Sequence, residues 1–360
     1  MNTETSIHQP HLDNIDFFRI LFTIIILYGH CLKQLILIAG SQAPFFWVKS
    51  FTSAFAYMCD TFFIISGFFM FFSFHKKEYN LFKIVINKIA RLWPVVICSI
   101  ICLLVLDIFG VEYFNKTSWC FEMFLLHDAL THKMSAGHMW YVNVMFWGYI
   151  LYYLIYNIFD KNKISYVIGI IVFCAYSILL KENGNQIEGY IFSFRMVRGI
   201  AGMGLGYLIA YLYRNCYPCI VKINDKKATI IWTVIEIISL FLIIKITLVK
   251  GVSISFAIII VSFLMMFYSF LFNKGFLSKL FNVSWMSSFG KYCYSIYMMQ
   301  YFPFFILKKY LWTREFVINY PLFNIILFVC ICTIVGIITY HVVERPCKKL
   351  ILKYAAKACD

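Results

Sequence analysis

Apolar residues in this 360-residue chain come in continuous runs rather than in alternation, and the runs have the length needed to cross a lipid bilayer, ~20 residues each. They cover 15–38, 51–74, 84–108, 139–159, 164–181, 190–213, 228–248, 252–272, 289–311 and 321–343. Backbone groups in hydrocarbon must be satisfied within the segment itself, so each run predicts a helix. A period-two pattern, which an outer-membrane barrel requires, is missing. The expectation is an all-α polytopic membrane protein with about ten transmembrane helices.

The polar stretches between the runs set the orientation. Nineteen Lys and Arg fall in 75–91, 160–163, 214–227, 273–291 and 344–360, against nine in the alternate loops. The positive-inside rule then puts both termini in the cytoplasm, and the richer side is called the basic end below. Residues 1–14 read as a cytoplasmic tail, 15–346 as one membrane domain, and 347–360 as a basic cytoplasmic tail. The first run carries Arg19 and His30 and lacks a small-residue cleavage site, so it reads as a retained helix and not as a signal peptide. The outward stretch 109–138 mixes Trp119, Phe121 and Phe124 with Glu122 and His138, and predicts a short amphipathic interfacial helix.

Composition adds that 62% of residues are hydrophobic and 14% charged, which excludes an ordinary soluble domain. The net charge of +15 follows from the loop asymmetry and suits anionic lipid headgroups. No nucleic-acid partner is implied. Most of the thirteen cysteines lie inside apolar runs as small fillers. Cys216 and Cys219 have motif spacing, but a single pair without an adjacent histidine implies no metal site.

Ionisable residues inside the runs are costly, roughly 2.5 to 3.5 kcal/mol for Asp, Lys or Arg at a helix centre. The set is Arg19, His30, Asp60, Arg195, Arg198 and Glu236. Arg19 and His30 lie eleven residues apart, almost three turns, so they share a face with about 16 Å between them. The histidine is either a structural group bonded to a backbone carbonyl or a proton-exchanging group aligned with a fixed cation. Helix one runs outward and helix two returns, which puts His30 and Asp60 at similar depth. Their pairing would orient the imidazole, or would be a structural ion pair. Arg195 and Arg198 share a face and would either pair with Glu236 or grip an anionic group of a substrate. Gly199, Gly202, Gly204 and Gly206 after them predict close helix contact. Lys88 and Arg91, three apart before Trp93-Pro94, are positive-inside charges or a phosphate clamp for a nucleotide-like donor.

Several of these residues sit in a recognisable ordered set: Ile15-Asp16-Phe17-Phe18-Arg19 with His30; Asp60-Thr61-Phe62-Phe63-Ile64-Ile65-Ser66-Gly67-Phe68; Lys88-Ile89-Ala90-Arg91-Leu92-Trp93-Pro94; His138-Met139-Trp140-Tyr141-Val142; Tyr294-Ser295-Ile296-Tyr297; and Glu344-Arg345-Pro346. From residue 15 to about 346 the chain resembles the membrane-bound acyltransferase family 3, whose bacterial members O-acetylate surface glycans. The resemblance implies transfer of an acyl group, usually acetyl from cytoplasmic acetyl-CoA, to a hydroxyl of a cell-surface or lipid-linked polysaccharide. It also implies residence in the bacterial cytoplasmic membrane.

The family's basic residue, ten intervening positions and histidine fall on Arg19 and His30. Its Arg-x-x-Arg element falls on Lys88 and Arg91, and lysine at the first position loses the bidentate fork. Where many relatives carry a histidine shortly after the position of Tyr297, this chain has Gln300. On this reading CoA phosphates rest on Lys88, Arg91 and Arg19. His30, oriented by Asp60, is the general base, and Ser66 or a backbone amide near Gly67 helps hold the oxyanion. His138 and Trp140 form a sugar platform, or Trp140 is an interfacial anchor, with Arg195 and Arg198 as further substrate contacts. The route is direct transfer or a transient acyl-enzyme. The alternative class is a transporter or flippase for a glycan or small anionic solute, which would more often show internal repeats.

Overall fold

The computed structural model describes residues 13–40, 58–76, 80–112, 116–126, 137–181, 193–221, 225–248 and 253–357. Every predicted run is helical within them. α1 (Asp13–Ala39), α2 (Met58–Phe74) and α3 (Leu81–Ile108) come first, then a short α4 (Lys116–Met123). α5 (Trp140–Ile158), α6 (Ile164–Lys181), α7 (Phe194–Val221), α8 (Asp225–Leu248) and α9 (Ser253–Phe272) follow. Short helices α10 (Phe276–Leu280) and α11 (Ser284–Gly290) lead into α12 (Cys293–Met299) and α13 (Tyr301–Tyr310). The chain ends through α14 (Arg314–Asn319), α15 (Pro321–Thr339) and α16 (Arg345–Lys357). Six helical spans are long and apolar enough to cross a membrane, and α2 and α9 supply shorter apolar helices. No strand is present among the described residues.

Glycine decides which helices meet. α2 packs mainly on α7, and a Cβ on Gly206 would lie 2.0 Å from the Ile64 carbonyl oxygen. A Cβ on Gly67 would lie 1.9 Å from that of Met203. Only backbones without side chains approach so closely, which is the expected use of this glycine run.

Two runs are less regular than the pattern predicts. Residues 289–311 break at Gln300 between α12 and α13, ahead of Pro303, which lacks an N–H. Near the break the Met298 carbonyl accepts hydrogen bonds from Ser99 Oγ at 3.0 Å and from His138 Nε2 at 2.9 Å. Those bonds fasten α12 to α3 and to the start of α5. The last run passes from α15 through one π-helical turn, Tyr340–Glu344, directly into α16. The basic segment from 347 is therefore helical to Lys357, and α16 lies along α3.

The predicted interfacial helix corresponds to α4. It is fastened to the bundle by two indoles, with Trp93 Nε1 donating to the Met123 carbonyl at 2.8 Å and Trp147 Nε1 to the Leu125 carbonyl at 2.5 Å.

Candidate active site

α1, α2, α3, α5, α12 and α16 line a cavity of about 660 Å³. Along α1 its wall runs from Ile15 to Ile26, and along α2 from Cys59 to Ser73, so it extends roughly 16 to 21 Å along the helix axes. One end lies where α1 and α3 begin and α2 finishes, the basic end of the fold. The other end stops at Ile26, Cys59, Tyr141 and Tyr297.

The basic end carries Arg19, Lys88, Arg91 and Lys348 against one carboxylate, Asp16. Arg19 Nη1 pairs with Asp16 Oδ1 at 2.7 Å, and its guanidinium lies 5.2 Å from the Phe69 ring centre. The Lys88 ammonium rests 3.8 Å from the centre of the Tyr149 ring, a cation–π contact that holds the side chain without neutralising it. Neither Lys88, Arg91 nor Lys348 has an ion pair among the described residues. Such a surplus of cations in a concave site suits a ligand with several phosphate charges.

Ser66 lines the middle of the cavity, where its hydroxyl points at the Met145 sulfur, 3.6 Å away. A thioether is a weak acceptor. The hydroxyl can therefore turn toward a better one.

His30 does not line the cavity; Ile26, one turn earlier on α1, does. The imidazole meets the Tyr301 ring edge-on, with centres 5.6 Å apart. The same ring stacks on His138 at 4.6 Å and 13°. Since the Met298 carbonyl only accepts, His138 Nε2 carries the proton, and its buried Nδ1 has no hydrogen-bond partner among the described residues. Tyr297, which lines the cavity, donates its hydroxyl to the His138 carbonyl at 2.8 Å. Tyr297 thus separates the cavity from a cluster of two histidines and Tyr301.

The expected pairing of His30 with Asp60 is not what the fold builds. Asp60 is 1% exposed, and both its oxygens are taken by Arg198, Nε to Oδ1 at 3.0 Å and Nη2 to Oδ2 at 2.5 Å. The reason is the close α2–α7 contact at the glycines, which brings Arg198 opposite the first turn of α2. Asp60 therefore does not orient His30. Arg198 is likewise engaged as the partner of Asp60, and its guanidinium lies 5.4 Å from the Trp140 ring centre.

Glu236, the other expected partner of the arginines, is committed elsewhere. It accepts from Ser269 Oγ at 2.9 Å and from the backbone N–H of Leu277 and Ser278 at 2.8 and 3.2 Å. It thus caps the start of α10. Arg195 lies on the first turn of α7, half-buried and away from the cavity. His138 is 0% and Trp140 8% exposed, so these rings present no open sugar platform. His138 instead packs on α12 and on Tyr301 of α13, and Trp140 on Phe63 of α2 and Arg198 of α7.

Sequence reasoning missed Lys348 and the tyrosines Tyr141, Tyr297 and Tyr301. Tyr297 and Tyr141 stood within the recognised wording but carried no charge to mark them. Lys348 was one of several lysines in a stretch read as a tail.

A family model described as an acyltransferase domain matches residues 12–341. No curated protein and no solved structure matches the chain.

Proposed function

Because the chain belongs to acyltransferase family 3, we propose that this multi-pass membrane acyltransferase draws acetyl groups from acetyl-CoA through the cavity and passes them to a glycan hydroxyl on the far side. The observation that carries the reading is the cavity itself. At one end Lys88, Arg91 and Lys348 have no ion pair among the described residues, and its other end stops one turn short of His30 on α1.

The ADP portion of CoA rests at the basic end, where Arg91, Lys88 and Arg19 face its phosphates. The slender pantetheine arm lies between α1 and α2, and the thioester reaches the tyrosine layer. Delivery across that layer takes a rotamer change of Tyr297. A sugar hydroxyl of a surface or lipid-linked polysaccharide is too weak an acid to ionise unaided, so His30 takes its proton as the oxygen attacks the thioester carbonyl. Ser66 turns from the Met145 sulfur and donates to the carbonyl oxygen as it gains charge. The C–S bond then breaks, the O-acetyl product forms, and the imidazolium returns its proton to the CoA thiolate. With Asp60 engaged by Arg198, the ring of Tyr301 is one of the contacts that position His30. On this reading the basic end faces the cytoplasm and the histidine cluster lies toward the outer half of a bacterial inner membrane.

Acetyl-CoA consumption by the purified protein in nanodiscs, with an extracted surface glycan as acceptor, tests the proposal. His30→Ala is expected to lower turnover by about 10² to 10⁴ while CoA binding persists. Unchanged turnover in His30→Ala removes the base. Solute flux through proteoliposomes without acyl transfer selects a transporter instead.

A further inference from the structure

The last helix changes what the basic end of the cavity recognises. α16 begins after the π-helical turn and lies along α3, the helix that carries Asn87, Lys88 and Arg91. Lys348, one turn into α16, lines the same cavity. The turn before it is fixed from inside the bundle, because the buried Glu344 carboxylate accepts the Ser295 hydroxyl at 2.5 Å. Glu344 also lies within Coulombic reach of both Arg91 and Lys348. An exposed lysine on a surface helix is ordinarily a solvated charge. This one is held at the mouth by a buried anchor four residues earlier.

The position within the cavity assigns the ligand group. The diphosphate of CoA is joined directly to the pantetheine arm, so it stays close to the neck of the cavity with Arg19 and Arg91. The 3′-phosphate hangs from the ribose, farther from the arm, and so lies farther toward the solvent. Lys348 is an exposed cation of the cavity on α16, whereas Arg91 lies almost one turn farther than Lys88 from the basic end along α3, and Arg19 is half-buried in the wall. We propose that Lys348 is a specificity residue for the ribose 3′-phosphate of the donor, so that α16 belongs to the donor site and distinguishes CoA from its 3′-dephosphorylated form. This inference rests on the acyl-CoA reading above.

Binding of CoA and of dephospho-CoA to the full-length protein in nanodiscs, measured by calorimetry, tests it. The wild type is expected to prefer CoA. Lys348→Ala should weaken CoA by about fivefold, the size of an exposed charge pair, and leave dephospho-CoA unchanged. Lys348→Arg should restore the preference, and Lys353→Ala, on the same helix outside the cavity wall, should not alter it. Equal loss on both ligands, or no loss on either, overturns the assignment while leaving the acyl-CoA reading in place. Failure of the wild type to bind either ligand overturns both. A monodisperse, folded Lys348→Arg variant without the preference also overturns the assignment, since it retains the charge at the mouth.

Discussion

The cavity and the contact between α2 and α7 both place charge inside a membrane bundle, yet they are built on opposite terms. At the α2–α7 contact Asp60 and Arg198 close on each other with two hydrogen bonds and almost no exposure. In the cavity Lys88, Arg91 and Lys348 line a concave wall and have no ion pair among the described residues. A buried pair satisfies itself, so its charge is spent on architecture. Cations without an ion pair retain their charge for something that arrives from outside. Pairing, more than burial or residue type, separates the two roles.

The strongest way to break this comparison is to remove one partner of the closed pair. Arg198→Ala leaves the Asp60 carboxylate buried and uncompensated, and should lower stability by about 3 to 5 kcal/mol. Thermal unfolding in detergent, followed by size-exclusion of the heated sample, measures this. The double replacement Asp60→Asn with Arg198→Gln should recover part of the loss. If the single variant melts like the wild type, the pair is not the architectural element described.

A second, smaller effect tests why that pair forms at all. Gly206→Ala puts a Cβ against the Ile64 carbonyl, and a backbone atom cannot rotate away. Moving α7 off α2 should cost about 1 to 3 kcal/mol, again read as a lower melting temperature. An unchanged melting point would mean that the helices separate freely and that glycine contact does not choose the partners.

The least disturbance to stability is expected in the cavity. Arg91→Ala removes an exposed side chain with no ion pair among the described residues, and should shift stability by no more than about 0.5 kcal/mol. Under the proposed donor role KM for acetyl-CoA should nevertheless rise about tenfold, equivalent to ~1.4 kcal/mol of phosphate contact. Steady-state kinetics beside a melting curve gives both numbers. A lower melting temperature with unchanged KM would assign Arg91 to architecture and erase the distinction between the regions.

Much of the cavity was legible in the chain before any fold was known. Arg19, Lys88, Arg91 and Ser66 stand out separately, on α1, α3 and α2, and all four line one cavity. Charge inside or beside an apolar run is rare enough to be seen residue by residue. The partner of Asp60 was not legible, because depth along a helix says which residues share a level and not which face meets which. Lys348 was hidden for a related reason, since a basic terminal stretch has the same composition whether it hangs free or folds back along α3.

The sequence by itself determined the helices and where the costly charges lie, because hydrocarbon forces each long apolar run to satisfy its own backbone. Only the tertiary structure decided that Arg198 closes on Asp60, that Tyr297 stands between the cavity and His30, and that the final helix brings Lys348 to the mouth. Those choices depend on backbone approach at Gly67 and Gly206 and on the π-helical turn fixed by Glu344. Such contacts join residues far apart in the chain, and a pattern read along one helix does not contain them.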